Sequence, residues 1–497
     1  MINHFISAAN THKLEILREL INSDQTLHEL AKTLAISANT VKRYINELNK
    51  ELADFSVHHI QKNEDHRYRL AGDKQTAWET YSKSLYFYGL SSLTFQLCQL
   101  FISHKHLTLT KICEELHTSV SHAYRIIGKL NTCLSAFQIQ ITSNSEAVYY
   151  FKGKELNIRI FLFHFISQCI PSDVWLFPVV DKQEVQQKIA AIFDTSVMST
   201  STYHHLVCFL SIIKNRVAGK CFLPKIKTLH QGMFDYYVFL SYDQVCQLLP
   251  EQLDKKHLQT EYFYLNFFIR VFIPSVIDES NFIELGKKIH ESHTPLTVFF
   301  NGLLADWKNQ FASQIPENLY YYFVYNATLV YNLSIFIYID LLFIWDLDYF
   351  SATFIKNADY LLMKKINALV DRHVRECQTE ELDKDFFYQH QFSYLCNLLY
   401  IETKMLTHPV VMIHVSFFRD YHAIEFIKSR IYSIYNDKMI QFTHNPILAD
   451  LVITDKYELA TVAGEHLAIN NFLEPSEWKM ILSKINQQII EKMDNAQ

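Results

Sequence analysis

Glycine is scarce in this chain, nine among 497 residues, and none falls in a G-x-x-x-x-G-K-[ST] or G-x-G-x-x-G run. The usual backbone cradles for nucleotide phosphates are therefore missing. Nine cysteines are scattered without a C-x-x-C pair, and no H-E-x-x-H or ordered Cys/His spacing occurs among 24 histidines, which argues against disulfide frameworks, metal ligation and cofactor chemistry alike. His290 and His293 stand one turn apart but have no identifiable third ligand. The start, MINHFISAANTHKLEIL, has neither a basic segment nor a continuous apolar one, so a reduced, cytoplasmic protein is expected. Long apolar runs are also rare. The most apolar stretch, Leu329 to Trp345, carries Asn332, Ser334 and Asp340, and an unpaired carboxylate is costly in lipid. It reads as a buried helix of a bundle or one at a subunit interface, with no membrane partner.

Apolar side chains, by contrast, are plentiful. Hydrophobic residues make up 49% of the chain, with 37 Phe and 29 Tyr, whereas disorder requires a shortage of them. A chain this long has room for several domains, each burying its own core. Formal charge is −6 overall, but residues 1–153 hold 16 Lys and Arg against 14 Asp and Glu. The small basic excess lies at the front and would not by itself indicate nucleic acid.

The clearest pattern is a repeat. Gln25 to Leu52, QTLHELAKTLAISANTVKRYINELNKEL, returns as LTLTKICEELHTSVSHAYRIIGKLNTCL at Leu107 to Leu134. An offset of 82 residues pairs Leu27 with Leu109, Leu30 with Ile112, Leu34 with Leu116, Ser37 with Ser119, Arg43 with Arg125, Ile45 with Ile127 and Leu48 with Leu130. Core and cap positions coincide. A helix over 11–24 precedes the first copy, and each copy is followed by a pair of β-segments, turning at Asn63–Asp65 and near Asn144 and Ser145. Two winged helix-turn-helix units in tandem are expected, over 1–72 and 73–153.

In such a unit the last helix enters the major groove and its solvent side meets phosphates and base edges. On the first copy that face presents Ser37, Asn39, Thr40, Lys42, Arg43 and Asn46. Arginine can bond guanine bidentately, asparagine adenine, and lysine supplies charge to phosphate. The second copy presents Ser121, His122, Tyr124, Arg125 and Lys129, with Gly128 among them, a poorer reading face. More base readout is expected from the first and more backbone contact from the second. Double-stranded DNA is the partner this chemistry fits.

From Glu155 to about Thr403 apolar residues recur at three- and four-residue steps, which suits two helical bundles, 154–282 and 283–404, joined near Asp278–Thr294. Over 405–497, short apolar runs (HPVVMIHVSFF, KMIQFTH, ILADLVITD) alternate with helical ones, which reads as a small α/β domain with a largely parallel sheet. His204 and His205 open a helical segment that ends in Asn215 and Arg216; a neutral imidazole can accept a phosphoryl group, and an arginine could hold it there.

This order of parts resembles the Mga/AtxA family of transcriptional regulators of Gram-positive bacteria. The strongest local support is TLHELAKTLAISANTVKRYINELN with its echo. The resemblance implies a mostly α, multidomain chain with tandem winged helix-turn-helix units, two phosphotransferase-system regulatory domains (PRDs) and an enzyme IIB-like terminal domain. It implies a DNA-binding activator of virulence or carbohydrate-linked genes, without catalysis of its own, working as a homodimer or higher homo-oligomer. The phosphocarrier HPr, with enzyme I, would phosphorylate PRD histidines, here His204, His205 and His390, with His373 behind it. The terminal domain departs from a working enzyme IIB: Ser416-Phe417-Phe418-Arg419 after its first strand has no cysteine acceptor, so no thiolate relay is expected there. A protein-interaction scaffold, or a phosphotransferase component, with degenerate helix-turn-helix units is the alternative.

Overall fold

The computed structural model describes residues 5–72, 74–104, 107–225, 237–250, 253–277, 279–292, 295–311, 315–336, 339, 360–377, 384–406, 410–416, 421–436, 439–455, 465–469 and 473–495. It is mostly helical, with three small sheets. Compact packing divides it into two units, one of Met1–Val298, Asn318–Asp348 and Thr379–Gln391, the other of Phe299–Glu317, Tyr349–Gln378 and Phe392–Gln497.

The first unit begins with α1 (Ala8–Asn22), α2 (Leu27–Thr33) and α3 (Ala38–Leu52). Local chemistry sets their ends. Thr26 and Glu29 form a capping box at the start of α2, and the Ser37 hydroxyl accepts from the Thr40 N–H at the start of α3, each cap contributing about 1 kcal/mol. Leu14, Leu17, Leu20, Leu30, Val41, Ile45, Leu48 and Leu52 close one core. Lys13 of α1, itself buried, reaches Glu47 at 3.0 Å and Glu51 at 2.6 Å, fastening α3 to α1. A two-stranded wing follows, β1 (His59–Lys62) and β2 (Tyr68–Ala71).

The second head repeats this plan with α4 (Lys74–Leu90), α5 (Leu93–Ser103), β3 (Leu107–Thr108), α6 (Leu109–Glu115), α7 (Val120–Leu134), β4 (Gln140–Ser143) and β5 (Val148–Lys152). Thr108 and Ser119 cap α6 and α7 as Thr26 and Ser37 cap their counterparts. Ala35 and His117, 82 residues apart, both take a left-handed conformation in the turn between the paired helices. After α7 the offset drops to 81. One residue is removed between helix and wing, yet Asn49 and Asn131 buttress the wings identically: the Asn49 amide donates to the Ile60 carbonyl at 2.8 Å and accepts its N–H at 2.6 Å, and Asn131 does the same with Ile141 at 3.0 and 2.6 Å. Gly72 and Gly153, at φ +129° and +151°, close the two wings, where a Cβ would run into His58 and Ile139.

Both heads are joined to α8 (Glu155–Cys169) by rings: Phe5 of the first and Phe95, Phe137 and Phe151 of the second pack on Phe161 and Phe165. Twelve of the fifteen residues of α8 are buried, so its apolar surface runs all round. Around it stand α9 (Lys182–Ile192), α10 (Thr200–Ala218), α11 (Tyr242–Leu248) and α12 (Lys255–Phe272). Helix α13 (Glu279–Glu291) runs through residue 282, where a boundary between bundles was expected. Gly286 allows it to seat on α15 (Glu317–Phe336), because a Cβ there would lie 1.9 Å from the Tyr321 carbonyl oxygen. Residues 283–404 are shared between the two compact units. The run Leu329–Trp345 is helical to Phe336, and most of its remainder lies outside the described residues.

In the second unit α14 (Pro295–Phe311), α16 (Tyr360–Glu376) and α18 (Phe392–Leu406) pack around Trp307, whose indole N–H donates to Thr403 at 3.0 Å; the short α17 (Lys384–His390), before α18 in the chain, belongs to the first unit. The chain ends in a four-stranded sheet ordered β7-β6-β8-β9 and parallel throughout, from β6 (Val411–Ser416), β7 (Ile440–Phe442), β8 (Leu451–Thr454) and β9 (Glu465–Ala468). Helices α19 (Tyr421–Tyr432) and α20 (Pro475–Asn495) cover it with Ile427, Ile431, Trp478, Ile481 and Ile485. Residues 417–419, where an acceptor cysteine was missed in the sequence, lie outside the described residues. Among the described residues no single helix is long and apolar enough to cross a membrane.

Candidate nucleic-acid interface

Amphipathic α3 and α7 each bury one stripe and expose the other. Val41, Tyr44, Ile45, Leu48 and Leu52 face inward on α3, as do Ala123, Ile126, Ile127, Leu130 and Leu134 on α7. That orientation leaves Ser37, Asn39, Lys42, Arg43 and Asn46 exposed, with Thr40 half-buried beside the Ser37 hydroxyl at 2.8 Å. Arg43 lies 3.7 Å from Glu47 and over the Tyr44 ring, but Glu47 is also held by Lys13, and the Arg43 side chain remains 64% exposed. Such a tether is weak and breaks readily in favour of a phosphate or a guanine.

On α7, Ser121, Tyr124, Arg125 and Lys129 are exposed and His122 half-buried. The Tyr124 hydroxyl bonds Tyr149 of β5, which, after burial, is what raises the Tyr149 phenol above its ordinary range. Gly128 stands in open space, where a Cβ would meet nothing within 4 Å. This face is flatter and less polar than that of α3. Neither helix has a carboxylate in its first turn, which suits an anion near the helix N-terminus. The wing tips point the other way in charge, carrying Glu64 and Asp65 in one and Glu146 in the other, all exposed.

The histidines fall into three situations. His204 and His205 are half-buried in the first turns of α10, 6.3 Å apart between ring centroids. Burial holds both below the ordinary histidine range, His205 and Lys182 adding to the effect on His204. They are therefore neutral at neutral pH and keep a nucleophilic nitrogen. Arg216 does not serve them. It is twelve residues further along the same helix, about 18 Å at helical rise, and its guanidinium is bound to Glu155 at 2.6 Å. His373 donates from Nε2 to Asp306 at 3.0 Å, leaving Nδ1 next to Gly302, 3.9 Å from where a Cβ would lie. His390 ends α17, and its side chain lies outside the described residues, as does His293; His290 packs on Tyr320 and Tyr321.

Sequence reasoning passed over His164. It is buried within α8, its Nδ1 3.3 Å from the Gln168 amide and its ring edge-on to Phe272, and burial drives its pKa down to about 3, with His205 contributing. Its folded value is depressed, so its contribution is complete above the unfolded value of 6.5 and drains away as pH falls from there towards 3. At pH 5 that amounts to about 2 kcal/mol. Urea titrations at pH 7.5 and 5 are expected to show the acid-induced loss reduced by that amount in His164→Phe, and an undiminished loss would reject the assignment.

Among the described residues no group of His, Cys, Asp or Glu is arranged to hold a metal ion.

The Mga helix-turn-helix domain matches this chain twice, over residues 1–77 and 73–166. Those matches coincide with the two heads. The anthrax toxin expression trans-acting positive regulator of Bacillus anthracis is 23% identical over 197 residues, a match spanning 39% of each chain. The two heads, with their matching caps and buttresses, are thus similar to Mga helix-turn-helix domains over residues 1–166, and the match to the relative likewise covers only part of either chain.

Proposed function

We propose that the protein is a transcription regulator that binds double-stranded DNA through α3 and α7 and performs no catalysis. The observation that carries this reading is the exposed polar and basic face of both third helices on a scaffold built twice with the same caps and wing ties. Two heads on one chain engage two stretches of duplex together, and the second contact becomes intramolecular once the first is made. Selection from genomic fragments tests it: one subset is expected to be retained at physiological salt. Lys42→Ala should weaken binding evenly across sequences and lower the slope of log affinity against log salt by about 1. Equal retention of all fragments would overturn sequence specificity.

The finer reading is that phosphoryl transfer from HPr and enzyme I to His204 or His205, and to His373 or His390 in the second bundle, tunes activity and assembly, with virulence or carbohydrate-linked genes as targets. Support comes from the neutral, half-buried state of the first pair and from the Asp306 bond that fixes the tautomer of His373. A phosphohistidine adds close to two negative charges and strong acceptors, enough to change how helices pack. Incubation with the general phosphotransferase proteins, then mass analysis that preserves phosphohistidine, is expected to place about 80 Da, one phosphoryl group, on the peptide holding His204 and His205. No gain on it removes this part. Assembly as a homodimer or larger is supported by Phe426, Tyr432, Met480 and Ile490, large apolar side chains exposed on the terminal domain.

A further inference from the structure

A groove of about 1030 Å³ opens in the first unit. One wall is α4, with Trp78, Tyr81, Phe87 and Leu90; Phe55 joins it from just beyond α3, and the end of α8 with the chain to Val174 forms the opposite side. His204 also lines it. Trp78, Phe87 and Leu90 are 48%, 39% and 40% exposed. Apolar side chains of this size left together in water mark a binding surface, and the volume is at the upper end for a small-molecule site.

The lining also states what it would hold. Glu79 and Lys83 pair with each other at 2.7 Å, so their charges cancel. Asp173 is the remaining charged group, and it repels anions. Ser82, Ser167, Gln168 and His204 supply a few neutral hydrogen-bonding groups against a mainly aromatic and aliphatic surface.

We propose that this groove is a site for a neutral, ring-bearing small molecule, apolar on its faces and with hydroxyl or carbonyl groups at its edge, and that negative charge at His204 expels it. The groove is independent of the phosphorylation read above. Only the identity of that charge as a phosphoryl group rests on it. Occupancy reaches the DNA-binding head by a short route: Phe55, three residues past α3, packs on Phe87 at 5.4 Å, and the neighbouring Tyr88 hydroxyl donates to Glu51 of α3. A ligand that prefers one packing of α4 on the end of α3 shifts the population of head geometries by its difference in affinity for them.

The test uses the full chain and N-phenyl-1-naphthylamine, a neutral apolar probe that accepts energy from tryptophan. Saturable fluorescence with energy transfer is expected. Trp78→Phe should keep the binding and lower the transfer, Trp175 beside the groove remaining as a second donor; Phe87→Ser should raise the dissociation constant about tenfold. His204→Glu should raise it by at least about tenfold and His204→Gln leave it within about twofold, since only the former buries charge in the groove. Linear, unsaturable uptake overturns the site, as does saturable binding whose energy transfer is unchanged in Trp78→Phe and whose affinity is unchanged in Phe87→Ser. Equal binding by the His204→Glu and His204→Gln chains overturns the expulsion and leaves the groove. All four changes are at exposed or half-buried positions, so unaltered far-ultraviolet dichroism is expected and confirms that the variants are folded.

Discussion

Replacing Lys42, Arg43 and Arg125 together by alanine is expected to weaken binding to the selected DNA by roughly 100- to 10,000-fold. The range follows from about 1–3 kcal/mol for each cationic contact to a base edge or phosphate, with Arg43 discounted for its loose tie to Glu47. Three lost phosphate or base cations should also flatten the salt dependence, by close to 0.9 in slope for each cation that touched phosphate. Stability should stay within about 0.5 kcal/mol, because all three side chains are exposed and none supports the core. That combination distinguishes a reading surface from a structural one. Quantitative gel shifts over a salt series, with melting curves alongside, decide it: unchanged affinity means the heads bind a protein partner, and lost affinity with lost stability means the residues act through the fold.

The two heads were legible because their signals are local. Caps at Ser37 and Ser119, apolar spacing along α3 and α7, and turn residues at Asn63 and Asn144 are each written within a few residues of the feature they specify. Asn49 and Asn131 were not read, although they stand 82 residues apart in the same repeat, because their role depends on a strand ten or eleven residues later. Periodicity gives a half-buried asparagine no reason to exist. Strand β9, EHLA, has neither alternation nor β-branched residues and forms only because the edge of β8 is available to pair with it. Similarly, residues 283–404 read as one bundle, whereas compact packing assigns parts of that range to each of two units, a division that depends on contacts far apart in sequence. His164 was hidden inside a continuous apolar helix, and the groove beside His204 is assembled from segments more than 100 residues apart, which no motif records.

Glu261→Ala is expected to cost the first unit about 3–5 kcal/mol, the largest single-site stability loss foreseen for this chain. Arg159 of α8 and Glu261 of α12 meet with both side chains almost wholly inaccessible, through two parallel bonds of 2.7 and 2.8 Å. Glu155 bonds Arg159 at 3.0 Å and Arg216 of α10 at 2.6 Å, so two arginines and two glutamates close a neutral four-residue network across three helices. Burial by itself pulls the Arg159 guanidinium below its ordinary range, but Glu261 and then Glu155 outweigh it and hold the group above. Removing Glu261 leaves two buried cations sharing one carboxylate. The loss thus comes mostly from the charge stranded at Arg159 rather than from the value of the pair, which predicts a rescue: Glu261→Met combined with Arg159→Met, apolar and of similar length, should recover most of what Glu261→Ala loses. Denaturant titrations of the three chains measure this directly. A Glu261→Ala loss below about 1 kcal/mol would show that water reaches Arg159, and a double replacement as unstable as the single one would show that the network, not the stranded charge, holds α8, α10 and α12 together.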